Sequence, residues 1–261
     1  EFTFTETMTE PDGIDLISEE VSLSNDDDHE ISCYGGSDGY INLQFDGGTG
    51  AYSYAWTGPG GFTANTASLT GISAGTYNLT VTDGNMCHRD YNYTLDEPDS
   101  LSISVITSQT PDNAFNISCN GGDGTIDISV AGGTGTGTYS YQWTKTGDPS
   151  WSSNLEDLTV KTGIYLLQVT DLNGCVNTRG VEITEPDSLR LTLNVSDITC
   201  LNAPAYNDGS IDLAVSGGKA PYSYSWTGPS GFTSSTEDIS SLAEGSYSVT
   251  VSDPGSSLSP T

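Results

Sequence analysis

The side chains of this sequence that are best suited to nucleophilic or metal chemistry are two histidines and five cysteines. The histidines are His29 and His88, and the cysteines are Cys33, Cys87, Cys119, Cys175 and Cys200. The two histidines and two of the cysteines lie in the first third of the chain and have the donor types of a zinc site. No two cysteines stand at CxxC spacing, which argues against a zinc ribbon and against thioredoxin-like redox chemistry.

Carboxylates are the other chemically distinctive group. The chain has 6 Lys+Arg against 35 Asp+Glu and a net charge of −29, which repels nucleic acid and anionic lipid. Calcium prefers carboxylate and carbonyl oxygens. The clustered acids are therefore a candidate calcium site, without the spacing of an EF-hand, at Asp26, Asp27, Asp28, Glu30, Glu97 and Asp99. The alternative is a solvated acidic coat that binds no cofactor.

Three copies of one pattern organise the chain around these residues. The motif Tyr-Ser-Tyr-X-Trp ends at Trp56, Trp143 and Trp226, which are 87 and 83 residues apart. A second anchor, which begins Gly-X-Tyr, ends at Asp83, Asp171 and Asp253. The motif Glu-Pro-Asp begins at Glu10, Glu97 and Glu185. Three anchors that share nearly one period indicate tandem repeats.

Within each repeat, apolar and polar residues alternate, as Ile41, Leu43 and Phe45 do with Asn42 and Gln44. A period of two predicts half-buried strands, and Gly-Gly and Gly-Pro pairs supply the turns. In the second repeat, we expect seven strands to begin near Leu101, Thr125, Tyr139, Trp151, Leu158, Ile164 and Val176.

The pattern therefore predicts an all-β fold of tandem immunoglobulin-like β-sandwich modules in an elongated array, without helices. The three motif tryptophans are expected in the cores of the modules. Trp151 aligns with Phe62 and Phe232 and is expected to pack as they do.

The predicted boundaries follow the Glu-Pro-Asp motifs. Repeat 1 spans residues 10–97, repeat 2 spans 98–185, and repeat 3 spans 186–261 and stops short of its last strand. In residues 1–9, Phe2, Phe4 and Met8 alternate with threonines. We expect this segment to be the last strand of a preceding module.

The alignment also assigns the cysteines. Cys33, Cys119 and Cys200 precede the second strand of a repeat, and Cys87 and Cys175 precede the last strand. We expect disulfides Cys33–Cys87 and Cys119–Cys175, each joining two loops at one end of a sandwich, and a free thiol at Cys200. His29 and His88 align with Phe115 and Val176. A zinc site or a catalytic histidine would thus occur in only one copy, and we predict no enzyme.

Repeat 2 contains Cys-Asn-Gly-Gly-Asp-Gly-Thr-Ile-Asp-Ile-Ser-Val from residue 119, then Gly-Gly-Thr-Gly, Tyr-Ser-Tyr-Gln-Trp, Gly-Ile-Tyr-Leu-Leu-Gln-Val-Thr-Asp and Asn-Gly-Cys. As a set, these motifs resemble the SprB repeat of very large surface adhesins of gliding Bacteroidota, and the resemblance covers nearly the whole chain. It implies export by the type IX secretion system, display as an outer membrane-attached filament on the cell surface, and adhesion during gliding motility.

The resemblance also implies partners. These are extracellular surfaces or polysaccharide, neighbouring repeats, and gliding-machinery or filament-associated proteins, without insertion into a membrane. The function that follows is a structural stalk segment of a repetitive cell-surface adhesin. A carbohydrate-binding module array of a secreted protein is the alternative, and an accessory region of a secreted enzyme is a third reading.

Two serines at the predicted junctions are candidate modification sites. Asp-Ser-Leu at Ser100 and at Ser188 resembles the acceptor sequence for O-glycosylation in Bacteroidota. Both serines are therefore candidate glycosylation sites. The alternative is that each only begins a strand.

Overall fold

The computed structural model describes residues 2–8, 12–23, 28–135, 137–199 and 207–254. Within these ranges the regular structure is β-strand, apart from two 3-10 turns of three residues at Pro59–Gly61 and Pro229–Gly231. The predicted all-β, immunoglobulin-like fold is confirmed. Across the described ranges, no helix has the length and apolar character needed to cross a membrane.

Repeat 1 contains seven strands that form two antiparallel sheets. They are β1 (Ile14–Val21), β2 (Gly39–Gly47), β3 (Ser53–Thr57), β4 (Thr63–Ala64), β5 (Leu69–Ile72), β6 (Gly75–Thr82) and β7 (His88–Leu95). One sheet has the order β1-β2-β5, and the other has the order β4-β3-β6-β7. A three-stranded sheet and a four-stranded sheet are the two layers of an immunoglobulin-like sandwich.

Repeat 2 has the same seven strands, and each begins within three residues of its predicted start. They are β8 (Ser102–Thr107), β9 (Gly124–Ala131), β10 (Ser140–Lys145), β11 (Asp148–Ser153), β12 (Leu158–Val160), β13 (Gly163–Thr170) and β14 (Val176–Ile183). The sheet orders, β12-β9-β8 and β11-β10-β13-β14, match those of repeat 1.

Repeat 3 has six strands among its described residues. They are β15 (Arg190–Ser196), β16 (Gly209–Ser216), β17 (Ser223–Thr227), β18 (Thr233–Ser234), β19 (Ile239–Leu242) and β20 (Ser248–Ser252). The sheets have the orders β15-β16-β19 and β18-β17-β20. A counterpart of β7 and β14 is not found in the part of repeat 3 that the structure describes.

The core of each repeat forms around its motif tryptophan. Trp56, Trp143 and Trp226 are 1%, 0% and 1% exposed, so their predicted core role is confirmed. Each indole Nε1–H donates to a backbone carbonyl, at 2.9 Å to Thr66 and at 3.0 Å to Leu155 and to Thr236. A buried indole needs such a partner for its only polar group.

The strand register determines which loops of repeat 1 lie together. Ile14 pairs with Gly47, and both Ser53 and His88 pair with Thr82. The start of β1, the β2–β3 loop and the β6–β7 turn therefore share one end, which we call the leading end. Gly39 pairs with Ile72, and Gly75 pairs with Leu95. The β1–β2 loop, the β5–β6 loop and the end of β7 therefore share the opposite, trailing end.

A glycine pair closes the leading end of each repeat. Gly47, Gly132 and Gly217 have φ of 76°, 77° and 71°, a conformation that glycine adopts without strain. A Cβ atom at any of the three would collide with a backbone carbonyl at the start of the same repeat. The following tyrosine hydroxyl donates to the glycine carbonyl in all three copies, for example from Tyr52 to Gly47 at 2.6 Å.

The chain divides into two compact units. The first comprises Glu1–Ser104, Ser129–Gln142 and Gln168–Arg179, and the second comprises Val105–Ile128, Trp143–Leu167 and Gly180–Thr261. The first holds repeat 1 with the leading end of repeat 2, and the second holds the trailing end of repeat 2 with repeat 3. The predicted boundaries at 10–97, 98–185 and 186–261 stay predictions. Residues 2–8 form no strand and expose Phe2, Phe4 and Met8, and their assignment to a preceding module also stays a prediction.

Candidate functional site: the junctions between repeats

A disulfide joins repeat 1 to repeat 2. Cys33, at the trailing end of repeat 1, is bonded to Cys175, at the leading end of repeat 2, with the sulfurs 2.06 Å apart and the Cα atoms 5.7 Å apart. The predicted bonds Cys33–Cys87 and Cys119–Cys175 are therefore wrong. Cys87 and Cys119 carry free thiols, of which that of Cys87 is exposed. Cys200, the predicted free thiol, lies outside the described residues.

The predicted pairing fails because Cys33 and Cys87 lie at opposite ends of repeat 1. Next to Cys33, the Ile31 N–H donates to Asp96 O, just after the end of β7, at 3.1 Å. Cys87 directly precedes the first residue of β7, so the length of that strand, roughly 26 Å, separates it from Asp96. The Cα atoms of a disulfide lie within about 7 Å. Both cysteines precede a strand, but β2 and β7 run in opposite directions.

The loop that carries Cys33 is held from both sides. The Ser32 hydroxyl donates to Asp38, and the Ser32 N–H donates to the same carboxylate at 3.2 Å. Partial burial raises the pKa of Asp38, but the hydrogen bonds from Ser32 outweigh it, and this pKa lies below its usual value. The carboxylate of Glu97, which begins the Glu-Pro-Asp motif, accepts the Gly35 N–H at 2.6 Å. The motif thus ties the linker after repeat 1 to the cysteine loop.

The turn that carries Cys175 is built around a buried carboxylate. Asp171 is 6% exposed. Its Oδ1 accepts the N–H groups of Asn173 at 3.1 Å and Cys175 at 2.8 Å, and its Oδ2 accepts that of Thr134 at 2.8 Å. Three backbone N–H groups that donate to one carboxylate make strong hydrogen bonds. They fix the cysteine and the neighbouring β9–β10 loop in one arrangement.

The two repeats also meet through a polar contact and share a cavity beside the disulfide. The Asn173 side-chain amide donates to Ser32 O at 3.1 Å. A cavity of about 300 Å³ adjoins the bond, and its lining includes Tyr34 from repeat 1 and Leu101 from repeat 2. Within repeat 2, the side-chain amide of Asn177, which also lines the cavity, donates to Leu101 O at 2.6 Å.

The junction between repeats 2 and 3 has the same linker contact. Glu185 accepts the Gly121 N–H at 2.7 Å, as Glu97 accepts that of Gly35. The side-chain amide of Asn120 donates to Pro186 O at 3.1 Å. At each junction, the glutamate of a Glu-Pro-Asp motif makes the same contact with a cysteine loop. The contact is therefore a property of the repeat. We call it the linker clamp.

An ion pair takes the place of the disulfide at this second junction. Lys219 Nζ lies 2.7 Å from Asp112 Oδ1, with the lysine side chain 18% exposed and the aspartate side chain 50% exposed. The hydrogen bond from Lys219, and then that from the Thr110 hydroxyl, hold the pKa of Asp112 well below its usual range. The pair therefore stays charged over all but strongly acidic conditions.

The candidate calcium ligands do not converge in the part that the structure describes. Glu97 makes the linker clamp, and Glu30 accepts the Asp96 N–H at 2.8 Å. Among the described residues, no three His, Cys, Asp or Glu side chains are arranged to hold a metal ion. Asp28 and Asp99 belong to that part, whereas Asp26 and Asp27 lie outside it. Calcium binding stays a prediction.

The candidate glycosylation sites lie where each repeat begins. Ser100 and Ser188 are exposed and stand two residues before the first strands of their repeats. Their carbonyl oxygens are the atoms that a Cβ at Gly132 and Gly217 would strike, so their backbone is part of the leading end. Glycosylation of their hydroxyls stays a prediction.

Trp151 packs as its aligned residues do. Its ring meets Tyr165 edge-on with 4.9 Å between ring centroids, and the pairs Phe62–Tyr77 and Phe232–Tyr247 meet in the same way at 5.4 and 5.3 Å. One edge-to-face pair thus recurs in three repeats. The expectation that Trp151 packs as Phe62 and Phe232 do is confirmed.

Sequence reasoning missed the residues that act between repeats. Asn173, Asp112 and Lys219 each contact a neighbouring repeat, and a pattern within one repeat does not reveal such contacts. The constant carboxylates did carry a signal, because Asp83, Asp171 and Asp253 occupy one position in all three repeats. Their role as caps of the β6–β7-type turn was not recognised.

Known structures give a distant resemblance in fold. Three N-terminal domains of the highly immunogenic outer capsid protein (Hoc) of bacteriophage RB49 are 17% identical, with a TM-score of 0.36, over 87% of this chain and 80% of that chain. A structure concerned with host cell surface retention of a 1.5-MDa bacterial ice-binding adhesin is 15% identical, with a TM-score of 0.38, over 90% of this chain and 88% of that one. A tetra-tandem repeat in the extending region of a large adhesion protein is 16% identical, with a TM-score of 0.23, over 88% and 64%. No curated protein matches the chain.

The family comparison agrees with the repeat structure. The family model named SprB repeat matches residues 29–61, 112–147 and 192–231. Each match includes the first cysteine and the motif tryptophan of its repeat. The resemblance seen in the sequence is confirmed, because the SprB repeat model matches at one place in each of the three repeats.

Proposed function

We propose that the chain is a structural stalk segment of a repetitive cell-surface adhesin. The observation that carries this proposal is the linker clamp, which recurs with the same geometry at Glu97 and at Glu185. A chain whose repeats are joined by dedicated contacts is suited to hold a distant part of the same protein at a set separation. The SprB repeats support the surface location.

The finer assignment follows from the family and is part of the proposal. The adhesin is exported by the type IX secretion system, displayed as an outer membrane-attached filament, and used for surface attachment in gliding motility. A net charge of −29 keeps such a filament soluble and away from anionic surfaces. The binding partners are extracellular surfaces or polysaccharide, and weak contacts add over many repeats.

Two measurements test this proposal. An antibody raised against the chain should label intact cells of the organism that makes it, and protease treatment of those cells should abolish the label. An in-frame deletion of repeat 2 should leave the protein on the surface but reduce attachment of the cells. Label that appears only after the cells are lysed would overturn the surface location.

A glycan array probed with the isolated chain separates the stalk from the carbohydrate-binding alternative. We expect no saturable binding, because the Trp151 ring, which has an aromatic counterpart in each of the other repeats, packs against Tyr165 of its own repeat. Saturable binding lost on Trp151→Ala, but kept on Trp226→Phe in the core of repeat 3, would favour the binding module.

A further inference from the structure

We propose that the Cys33–Cys175 bond is one link of a serial scheme, in which the first cysteine of each SprB repeat bonds to the second cysteine of the repeat that follows. Cys87 and Cys119 are then two half-links. Cys87 takes the first cysteine of a repeat placed before repeat 1, and Cys119 takes the second cysteine of any repeat that follows repeat 2 and carries one. This scheme does not depend on the adhesin role.

The turn that presents Cys87 is a copy of the turn that presents Cys175. The Asp83 Oδ1 accepts the N–H groups of Asn85 and Cys87, both at 2.9 Å, and its Oδ2 accepts that of Thr49 at 3.0 Å. Asp171 accepts the three equivalent donors in repeat 2. Cys87 is exposed at the leading end of repeat 1, which is the position from which Cys175 reaches a preceding repeat.

The loop that presents Cys119 is likewise a copy of the Cys33 loop. The Gly122 N–H donates to Cys119 O at 3.0 Å, as that of Gly36 does to Cys33 O at 2.8 Å. Both loops carry the linker clamp. The Lys219–Asp112 contact at 2.7 Å brings the leading end of repeat 3 to the trailing end of repeat 2. Cys119 therefore lies at a junction of the same kind.

Each link forms by thiol–disulfide exchange. One thiolate attacks a sulfur of an oxidised small-molecule or oxidoreductase disulfide, and the second thiolate then displaces the oxidant from the mixed disulfide. The two cysteine thiols lose two protons and two electrons in all, and the oxidant leaves as two thiols. The reaction needs an oxidising compartment, where such bonds persist.

The test duplicates repeat 2, residues 98–185, in tandem. The second copy is marked on both sides of the possible bond, by Asp127→Asn on β9 and Gln168→Glu on β13, which are exposed positions. The chain is folded in a glutathione redox buffer, and the bonds are mapped by mass spectrometry of unreduced peptides. Cys119 of the first copy should bond to Cys175 of the second copy, while Cys33 bonds to Cys175 of the first. A bond between Cys119 and Cys175 of one copy, or a Cys119 of the first copy that stays reduced while Cys33–Cys175 forms, would overturn the scheme.

Discussion

The two junctions of this chain share the linker clamp and differ in the bond that closes them. At the first, Cys33 and Cys175 are joined covalently. At the second, Lys219 and Asp112 form an ion pair 2.7 Å long. The linker clamp holds the cysteine loop in the same way at both junctions. The effect of the closing bond can therefore be compared between them. A covalent bond is insensitive to salt and to acid, whereas a partly exposed ion pair is weakened by salt and by strong acid.

The largest effect should follow from removing the covalent bond. Cys33→Ala opens a loop with a sequence separation of 142, and the chain-entropy model gives such a closure a stabilisation of about 5 kcal/mol. We expect the urea midpoint of the first compact unit to fall, as measured by hydrogen exchange. Cys87→Ala is the matched control and should leave the midpoint unchanged. Equal midpoints for the two variants would show that the disulfide does not stabilise the junction.

The buried carboxylates of the two leading ends should come next. Asp171→Asn places an amide against three backbone donors and should cost about 1–3 kcal/mol, the range for unsatisfied buried groups. Asp83→Asn should cost a similar amount in repeat 1. Only Asp171→Asn should also slow the formation of the Cys33–Cys175 bond, measured by quenched oxidation. If Asp83→Asn slows it equally, the capped turn does not orient Cys175.

The linker clamp provides a smaller effect that compares the junctions directly. Glu97→Gln and Glu185→Gln each weaken one charge-assisted bond to a glycine N–H, at about 1 kcal/mol. Amide exchange should rise more at Gly121 than at Gly35, because the first junction keeps its disulfide. In the presence of reductant the two increases should become equal. If amide exchange at the two glycines still differs after reduction, the difference comes from the linker clamp and not from the disulfide.

The smallest effect is the pH response of the second junction. The pKa of Asp112 is lower in the folded chain than in the unfolded one. The ion pair therefore contributes in full above the usual pKa of aspartate, and its contribution is lost as the pH falls through the lowered value. Nuclear magnetic resonance of the Lys219 ammonium should follow this loss, and 1 M salt should reproduce part of it. Asp112→Asn should abolish the pH response of the Lys219 ammonium. If a pH response remains, another group causes it.

The sequence was sufficient for the features that lie within one repeat. The alternation of apolar and polar residues around Ile41 and Leu43 predicts a strand, because every second side chain of a half-buried strand faces the core. Both residues are buried. The recurrence of the motif tryptophan identifies the core for the same reason. These features depend on neighbours in the chain and on a pattern seen three times.

The sequence was insufficient where direction or a neighbouring repeat decides the contact. The order of Cys33 and Cys87 shows that each precedes a strand, but the pairing depends on β2 and β7 running in opposite directions. Lys219 and Asp112 are 107 residues apart, and no pattern relates them. Glu97 is a candidate calcium ligand because it stands with Asp99 at a predicted junction, and no pattern in the sequence indicates that its carboxylate accepts the backbone N–H of Gly35.

The Cys33–Cys175 bond also decides which part of the chain can be drawn out when its ends are pulled. Tension that arrives at Cys33 crosses directly to Cys175, so residues 34–174 carry none of it while the bond is intact. That stretch would lengthen by roughly 480 Å if fully extended, and the bond withholds this length. Trp56 and Trp143 lie inside the shielded stretch and Trp226 lies outside it, so tension along the chain passes through the segment of Trp226 and bypasses the other two.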